Sequence, residues 1–153
     1  MEDYGNTLSA MRANSATNAK KAVPGKDAPC LEYRMYLFTA DTVNVTGIFS
    51  PTLNFMPGRS LQYAVSFDDE KPQVITLVPA DFDASHENID WAKTVADNAR
   101  FSQSLHLIKK PGYHTLKIWM VDQGVVLQKL MIDLGGLKPS YLGAPESFYK
   151  PAK

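Results

Sequence analysis

The fold of this chain is decided by residues 61–78, which read LQYAVSFDDEKPQVITLV. Every second residue from Leu61 to Phe67 is apolar, which is typical of a strand that buries one face. The run 68–72 is polar and ends in proline, and the apolar run 73–78 follows directly. Two strands joined by a short polar turn predict an antiparallel β-hairpin.

Similar strand patterns lie on both sides of this hairpin. Further strands are predicted over residues 31–39, 42–50, 100–108, 113–121 and 125–134. Within 42–50 the alternation slips by one place at Gly47, which indicates a β-bulge. Seven short strands separated by turn residues are typical of an antiparallel β-sandwich, so we predict an all-β fold.

One segment departs from the strand pattern. Residues 88–100 place Ile89, Ala92 and Val95 at helical spacing, and Asn88 or Asp90 could cap the beginning of a helix. We therefore predict one short helix inserted among the strands.

The length of 153 residues suits a single domain. Residues 1–30 are predicted to form an N-terminal loop and edge strand, and residues 31–137 to form the β-sandwich domain. The proline- and glycine-punctuated tail, residues 138–153, is expected to pack on the sandwich.

The charge balance bears on the class of partner. Sixteen basic residues match sixteen acidic residues, for a formal net charge of zero. Nucleic acids and anionic membranes normally select a basic surface, so neither is expected as a partner. No stretch approaches the roughly 20 apolar residues of a membrane span. The first ten residues contain no basic region followed by an apolar core, so no signal peptide is predicted there.

The sequence contains no specific catalytic motif: GxSxG, HExxH, P-loop and GxGxxG patterns are all missing. His106 and His114 could face each other across a hairpin, but two ligands are too few for a structural zinc site. The acidic run 68–70 could bind calcium or could form a solvated turn. We predict no catalytic residue, no metal ligand set and no cofactor.

Aromatic side chains indicate carbohydrate binding more directly, because the C–H faces of sugars stack on flat rings. The candidate rings are Trp91, Trp119, Tyr63, Tyr113, Tyr141, Phe148 and Tyr149. Aromatic residues also fill sandwich cores. Trp119 shares a strand face with Tyr113, so a place in the core is an alternative for it.

Several distinctive segments follow one another along the chain. They are Ser50–Phe55, Pro57–Arg59, Tyr63–Asp69, Val95–Asn98, Pro111–Lys117, Val125–Lys129 and Gly135–Gly143. In this order they resemble the C-terminal domain of glycoside hydrolase family 115, the xylan α-1,2-glucuronidases. The resemblance covers about residues 4–147. Gln123 and Ala144 depart from it, since proline is usual at both places.

The resemblance implies a fold and a role. It implies a jelly-roll or carbohydrate-binding-module-like sandwich that takes part in dimer contacts. The parent enzymes are much longer, are secreted or periplasmic, and remove glucuronic acid from xylan with a pocket in other domains. The implied function is a non-catalytic accessory domain in dimer or domain assembly, with xylan contact as an additional role. The implied partners are the parent catalytic domains, a second copy, or a xylan or glucuronoxylan oligosaccharide.

Two alternatives remain beside this role. A free-standing carbohydrate-binding module would present an exposed aromatic cluster beside polar side chains. A small enzyme would need titratable groups that converge in a pocket, and the sequence indicates none.

Carbohydrate contacts are expected from polar or amphipathic residues in loops or at element ends. These candidates are Asn54, Arg59, Trp91, Arg100, Lys138 and Tyr141. The alternative is that such side chains hold the loops by internal hydrogen bonds, which is the role we expect for Asp97 and Asn98.

Overall fold

A computed structural model describes residues 2–13, 20–56, 58–141 and 143–147. Its elements are β1 (Cys30–Leu37), β2 (Thr42–Phe49), β3 (Leu61–Phe67), β4 (Gln73–Val78), α1 (Ile89–Ala96), β5 (Arg100–Leu107), β6 (Gly112–Met120) and β7 (Leu127–Asp133). Two of the predicted aromatic candidates, Phe148 and Tyr149, lie outside the described residues. The predicted all-β fold with one short helix is confirmed.

The strands form two antiparallel sheets. One sheet has four strands in the order β1-β6-β3-β4, and the other has three in the order β5-β2-β7. The predicted hairpin is the β3–β4 pair, in which Tyr63 lies opposite Ile75. Each sheet turns one face to the core and the other outwards.

The core lies between the two sheets. Val45 and Phe49 of the three-stranded sheet belong to the same buried cluster as Tyr63 and Leu116 of the four-stranded sheet. The rings of Phe49 and Tyr63 are 4.6 Å apart. A Cβ at Gly47 would lie 2.5 Å from Phe49 Cε2, so glycine leaves the room that this ring needs. The strand irregularity lies between Ile48 and Phe49, one position after the predicted bulge.

Helix α1 begins after Asn88, whose side-chain Oδ1 accepts hydrogen bonds from the backbone N–H groups of Asp90 and Trp91. Of the two predicted caps, Asn88 and Asp90, the structure uses Asn88. The residues at helical spacing do not face the core, however, since Ile89 and Val95 are exposed. The buried residue of the helix is Thr94. The helix is held at its position by its cap and by polar contacts rather than by an apolar stripe.

The acidic turn between β3 and β4 joins the two sheets. Asp68 Oδ2 lies 2.7 Å from Nδ1 of His114 on β6, and Glu70 contacts the imidazole of His106 on β5. Because β5 and β6 belong to different sheets, the two histidines do not face each other across a hairpin, and that expectation is wrong. Each histidine instead pairs with a carboxylate of the acidic run 68–70.

The Asp68–His114 pair predicts a pH dependence of stability. The hydrogen bond that His114 donates to the Asp68 carboxylate raises the pKa of His114 above its ordinary 6.5. Desolvation opposes ionisation of Asp68, but hydrogen bonds from Thr115 N–H and His114 outweigh it and lower the pKa of Asp68 below 3.8. Between pH 3.8 and pH 6.5, therefore, both side chains are charged in the folded protein and the ion pair makes its full contribution to stability. Its contribution is lost as pH rises through the folded pKa of His114, and also as pH falls through that of Asp68.

We expect the urea midpoint to fall between about pH 5 and about pH 8, and His114→Gln to lessen this fall. The matched control is His86→Gln, because His86 is exposed. An equal fall in the wild type and in His114→Gln would contradict the prediction.

Candidate functional site

Three aromatic side chains project together from the outer face of the four-stranded sheet. Tyr36, Phe38 and Tyr113 are 47%, 82% and 67% exposed. Tyr36 lies opposite Tyr113 in the β1–β6 register, and their ring centroids are 5.1 Å apart in an edge-to-face arrangement. Phe38 meets Tyr36 in the same way at 5.0 Å. We call these three residues, together with Arg34, the aromatic platform.

Polar groups border the aromatic platform. The guanidinium of Arg34 lies 4.5 Å from the ring centroid of Tyr113, within cation–π range. Further along the same two strands, Glu32 lies opposite Lys117. Lys117 Nζ also donates a hydrogen bond of 2.8 Å to the backbone oxygen of Asp68. The outer face of this sheet thus presents exposed rings next to charged hydrogen-bonding groups.

Such a surface suits a ligand with both apolar faces and hydroxyl groups. The edge-to-face contacts hold the rings in place, so little side-chain freedom remains to be lost on binding. Sequence reasoning named Tyr113 but missed Tyr36 and Phe38. The strand alternation does place Tyr36 on the face opposite Leu31 and Met35, but alternation does not tell whether the second face of a strand is covered.

Asn54 and Arg59 support a loop beside β3. Asn54 Nδ2 donates to the backbone oxygens of Arg59 and Pro79 at 2.8 and 2.9 Å. Arg59 Nη2 donates to Asp122 Oδ1 at 2.6 Å, and the side chain of Asp122 is fully buried. Lys21 Nζ lies 3.3 Å from the other oxygen of the same carboxylate. These groups form an internal polar network around Asp122.

Arg100 and Trp91 both contact Phe82, beside the connection of helix α1 to β5. Arg100 is buried, and its guanidinium donates to Leu77 O at 2.8 Å and to Asp90 Oδ2 at 2.5 Å. The same guanidinium lies 4.6 Å from the centre of the Phe82 ring. Phe82 in turn contacts Trp91 edge-to-face at 5.9 Å. This cluster fixes the helix against the sandwich.

Lys138 and Tyr141 lie in the tail, and Tyr141 interacts electrostatically with Lys93 of α1. Tyr141 is exposed. Lys138 lines a groove of about 210 Å³ between the tail and the outer face of the three-stranded sheet. We call this space the tail groove. The six predicted residues are therefore distributed over three places rather than gathered in one site.

Two other aromatic candidates hydrogen-bond to a neighbouring element: Tyr63 in the core, and Trp119 on the same face of β6 as Tyr113. Tyr63 is buried, and its hydroxyl lies 2.9 Å from Ser102 Oγ. Trp119 is half-buried, and its Nε1 donates to Ser66 Oγ at 3.1 Å. Asp97 accepts a hydrogen bond from Lys93, and Asn98 O accepts one from Gln128.

Residues 2–13, 20–56, 58–141 and 143–147 contain neither a cluster of metal-binding side chains nor a membrane-spanning helix. No three histidine, cysteine or carboxylate side chains are grouped so that they could hold a metal ion. No helix in this part of the chain is long and apolar enough to cross a membrane.

Comparison with known proteins identifies the family. The family model of the glycosyl hydrolase family 115 C-terminal domain matches residues 1–146. The chain belongs to this family. The match covers nearly all of the 153 residues and confirms the resemblance drawn from the ordered motifs. No curated protein sequence matches the chain.

Two solved structures share the fold of this GH115 C-terminal domain. One is a family GH115 4-O-methyl-α-glucuronidase with specificity for decorated arabinogalactans; the TM-score is 0.68 at 23% identity, over 88% of this chain and 15% of that one. The other is a family 35 carbohydrate-binding module from an environmental isolate; the TM-score is 0.51 at 12% identity, over 94% of this chain and 96% of that one. At these identities the likeness shows the fold alone. The GH115 C-terminal domain spans about a seventh of the glucuronidase.

Proposed function

We propose that this domain is a non-catalytic accessory part of a larger GH115 enzyme and that it contacts xylan or glucuronoxylan through the aromatic platform. The observation that carries the proposal is the cluster of Tyr36, Phe38 and Tyr113 on an outer sheet face. Large exposed apolar patches on soluble proteins commonly mark interaction sites. Membership of a glycoside hydrolase family makes a glycan the expected ligand.

The platform has the extent for an oligosaccharide. Tyr113 and Lys117 lie on the same face of β6, four residues and therefore about 14 Å apart. The rings would stack on sugar C–H faces, while Arg34, Glu32 and Lys117 would bond the hydroxyl groups. Calorimetric titration with glucuronoxylan oligosaccharides tests the proposal, because saturable heat is expected from the isolated domain.

Replacing Tyr113 by alanine is expected to weaken this binding about tenfold, which corresponds to ~1.4 kcal/mol. The substitution removes the ring that contacts Tyr36 and the surface under the Arg34 guanidinium. The matched control is Tyr4→Ala, since Tyr4 is also partly exposed but lies in the N-terminal segment. Unchanged affinity in Tyr113→Ala would mean that the aromatic platform is not the surface that binds the oligosaccharide.

An assembly role is favoured by a different surface. Leu105 and Leu107 on β5 both point away from the core and are exposed. Strand β5 is at the edge of its sheet, and exposed edge strands with apolar side chains readily pair or dock with other chains. We propose that this face joins the domain to a second copy or to the catalytic part.

Light scattering on the purified domain and on its mixture with the catalytic part tests the assembly role. The double substitution Leu105→Lys and Leu107→Lys should abolish the association, whereas Ile89→Lys on the exposed side of α1 should leave it intact. Monomers in both samples would count against the assembly role. A monomer that nonetheless binds oligosaccharide would favour the alternative of a free-standing carbohydrate-binding module.

A further inference from the structure

The tail groove has a defined construction. Its floor is the outer face of the three-stranded sheet, where Thr46 of β2 lies between Gln103 of β5 and Met131 of β7. Its wall is formed by Leu137 and by the tail, which contributes Ser140. The groove is thus bounded by all three strands of one sheet and by a separate segment of chain.

Hydrogen bonds fix the chain just before the tail and at Ala144 within it. Gly135 N–H donates to Asp133 Oδ1 at 2.8 Å, and Lys129 Nζ donates to Ala144 O at 2.5 Å. A Cβ at Gly143 would lie only 1.8 Å from Met131 Sδ, so only glycine allows the tail to approach the sheet this closely. These contacts hold this part of the chain beside the three-stranded sheet.

The groove is lined by polar side chains of both hydrogen-bonding kinds. They are Asn44, Thr46, Gln103, Asp133, Lys138 and Ser140, and the ring of Phe101 lies beside them. Among the described residues, Asn44 Oδ1 is buried and receives no hydrogen bond. This atom lies beneath the groove surface, so the hydrogen-bonding groups open to a ligand are those of exposed side chains, such as Gln103, Lys138 and Ser140.

The size and charge of the groove restrict the ligand. Its volume of about 210 Å³ is below the roughly 300–1,000 Å³ of pockets for drug-sized molecules. Asp133 and Lys138 bring opposite charges to the groove, so their fields oppose each other and favour an uncharged molecule. Amide and hydroxyl groups beside an aromatic ring match a compact polyol that also has an apolar C–H face.

We propose that the tail groove binds a single neutral sugar residue, as a second carbohydrate site separate from the aromatic platform. The inference rests on the proposed carbohydrate contact of this domain. It adds a site for the terminal sugar of a polysaccharide or for one of its branch sugars. The platform lies on the outer face of the four-stranded sheet and the groove on that of the three-stranded sheet, so the two surfaces can be tested independently.

Amide NMR spectra of the purified domain test this inference. Titration with D-xylose should shift the signals of Asn44, Gln103 and Ser140 and saturate in the millimolar range, and these shifts should be unchanged in Tyr113→Ala. D-glucuronate should bind more weakly, because its carboxylate meets Asp133. No shift in the groove with D-xylose, or shifts there with D-glucuronate alone, would overturn the inference.

Two substitutions make the test specific. Ser140→Phe fills the groove from the exposed tail and should abolish the D-xylose shifts, and Gln103→Ala removes an exposed amide of the groove and should weaken binding about tenfold. Glu87→Phe, at an exposed position before α1, is the control and should change nothing. If xylan oligosaccharides shift the platform signals while D-xylose leaves the groove unchanged, only the second site is wrong. If neither ligand causes a shift, the proposed carbohydrate contact fails as well.

Discussion

Replacing Asp122 by alanine is expected to lower the free energy of unfolding by about 3 kcal/mol. The carboxylate is fully buried and accepts hydrogen bonds from Arg59 Nη2 at 2.6 Å and from the backbone N–H of Gln62 at 2.9 Å, with Lys21 at 3.3 Å. Its removal leaves a buried backbone donor and two cations without their shared partner. Urea unfolding, followed by circular dichroism, measures the effect.

The control for this prediction is Asp81→Ala. Asp81 is exposed, and a surface substitution of this kind usually changes stability by less than about 0.5 kcal/mol. Similar unfolding midpoints for the two variants would show that the network around Asp122 contributes little. Arg59→Ala should also destabilise the domain, because it removes a hydrogen-bonded cation from the buried carboxylate of Asp122. This loss of stability is expected whether or not Arg59 contacts a sugar.

Phe49→Ala should cost still more, about 4 kcal/mol, since deletion of a buried phenylalanine ring removes its packing and leaves a cavity. Phe49 is fully buried between the sheets, against Tyr63 and over Gly47. The neighbouring strand positions cannot move far enough to fill the space, because they are fixed by hydrogen bonds to β5 and β7. Urea and thermal unfolding should both report the loss.

Phe38→Ala is the matched substitution at the surface. Phe38 is 82% exposed, so its removal should leave stability within about 0.5 kcal/mol while weakening oligosaccharide binding at the platform. A stability loss in Phe38→Ala equal to that in Phe49→Ala would mean that Phe38 packs inside the fold. The pair of variants therefore separates a ring that holds the sandwich from a ring that is available to a ligand.

The two roles proposed for the domain use different surfaces and can coexist. The aromatic platform lies on the four-stranded sheet, whereas Leu105 and Leu107 lie on the edge of the three-stranded sheet. A domain docked through β5 would keep its platform exposed to a glycan. Binding measurements on Leu105→Lys, Leu107→Lys should accordingly give the affinity of the wild type.

The strands and the helix cap could be predicted from the sequence because they depend on local pattern. The alternation from Leu61 to Phe67 and the polar turn after it predicted β3 and β4 with their observed bounds. Asn88 was predicted as a cap because its short amide side chain can reach the free N–H groups of the next turn. The ordered motifs likewise identified the family, since family membership is a property of the sequence.

The locations of the site residues were decided by tertiary structure alone. Arg59 and Asp122 are 63 residues apart, and nothing local indicates that the loop cation meets that buried carboxylate. The side-by-side position of Tyr36 and Tyr113 depends on β1 pairing with β6, and their exposure depends on the outer face of that sheet staying uncovered. The alternation of apolar and polar residues is a property of a single strand, and it shows only that the two faces of that strand differ in polarity. Strand order and sheet stacking decide which side chains meet and which of them remain available to a ligand.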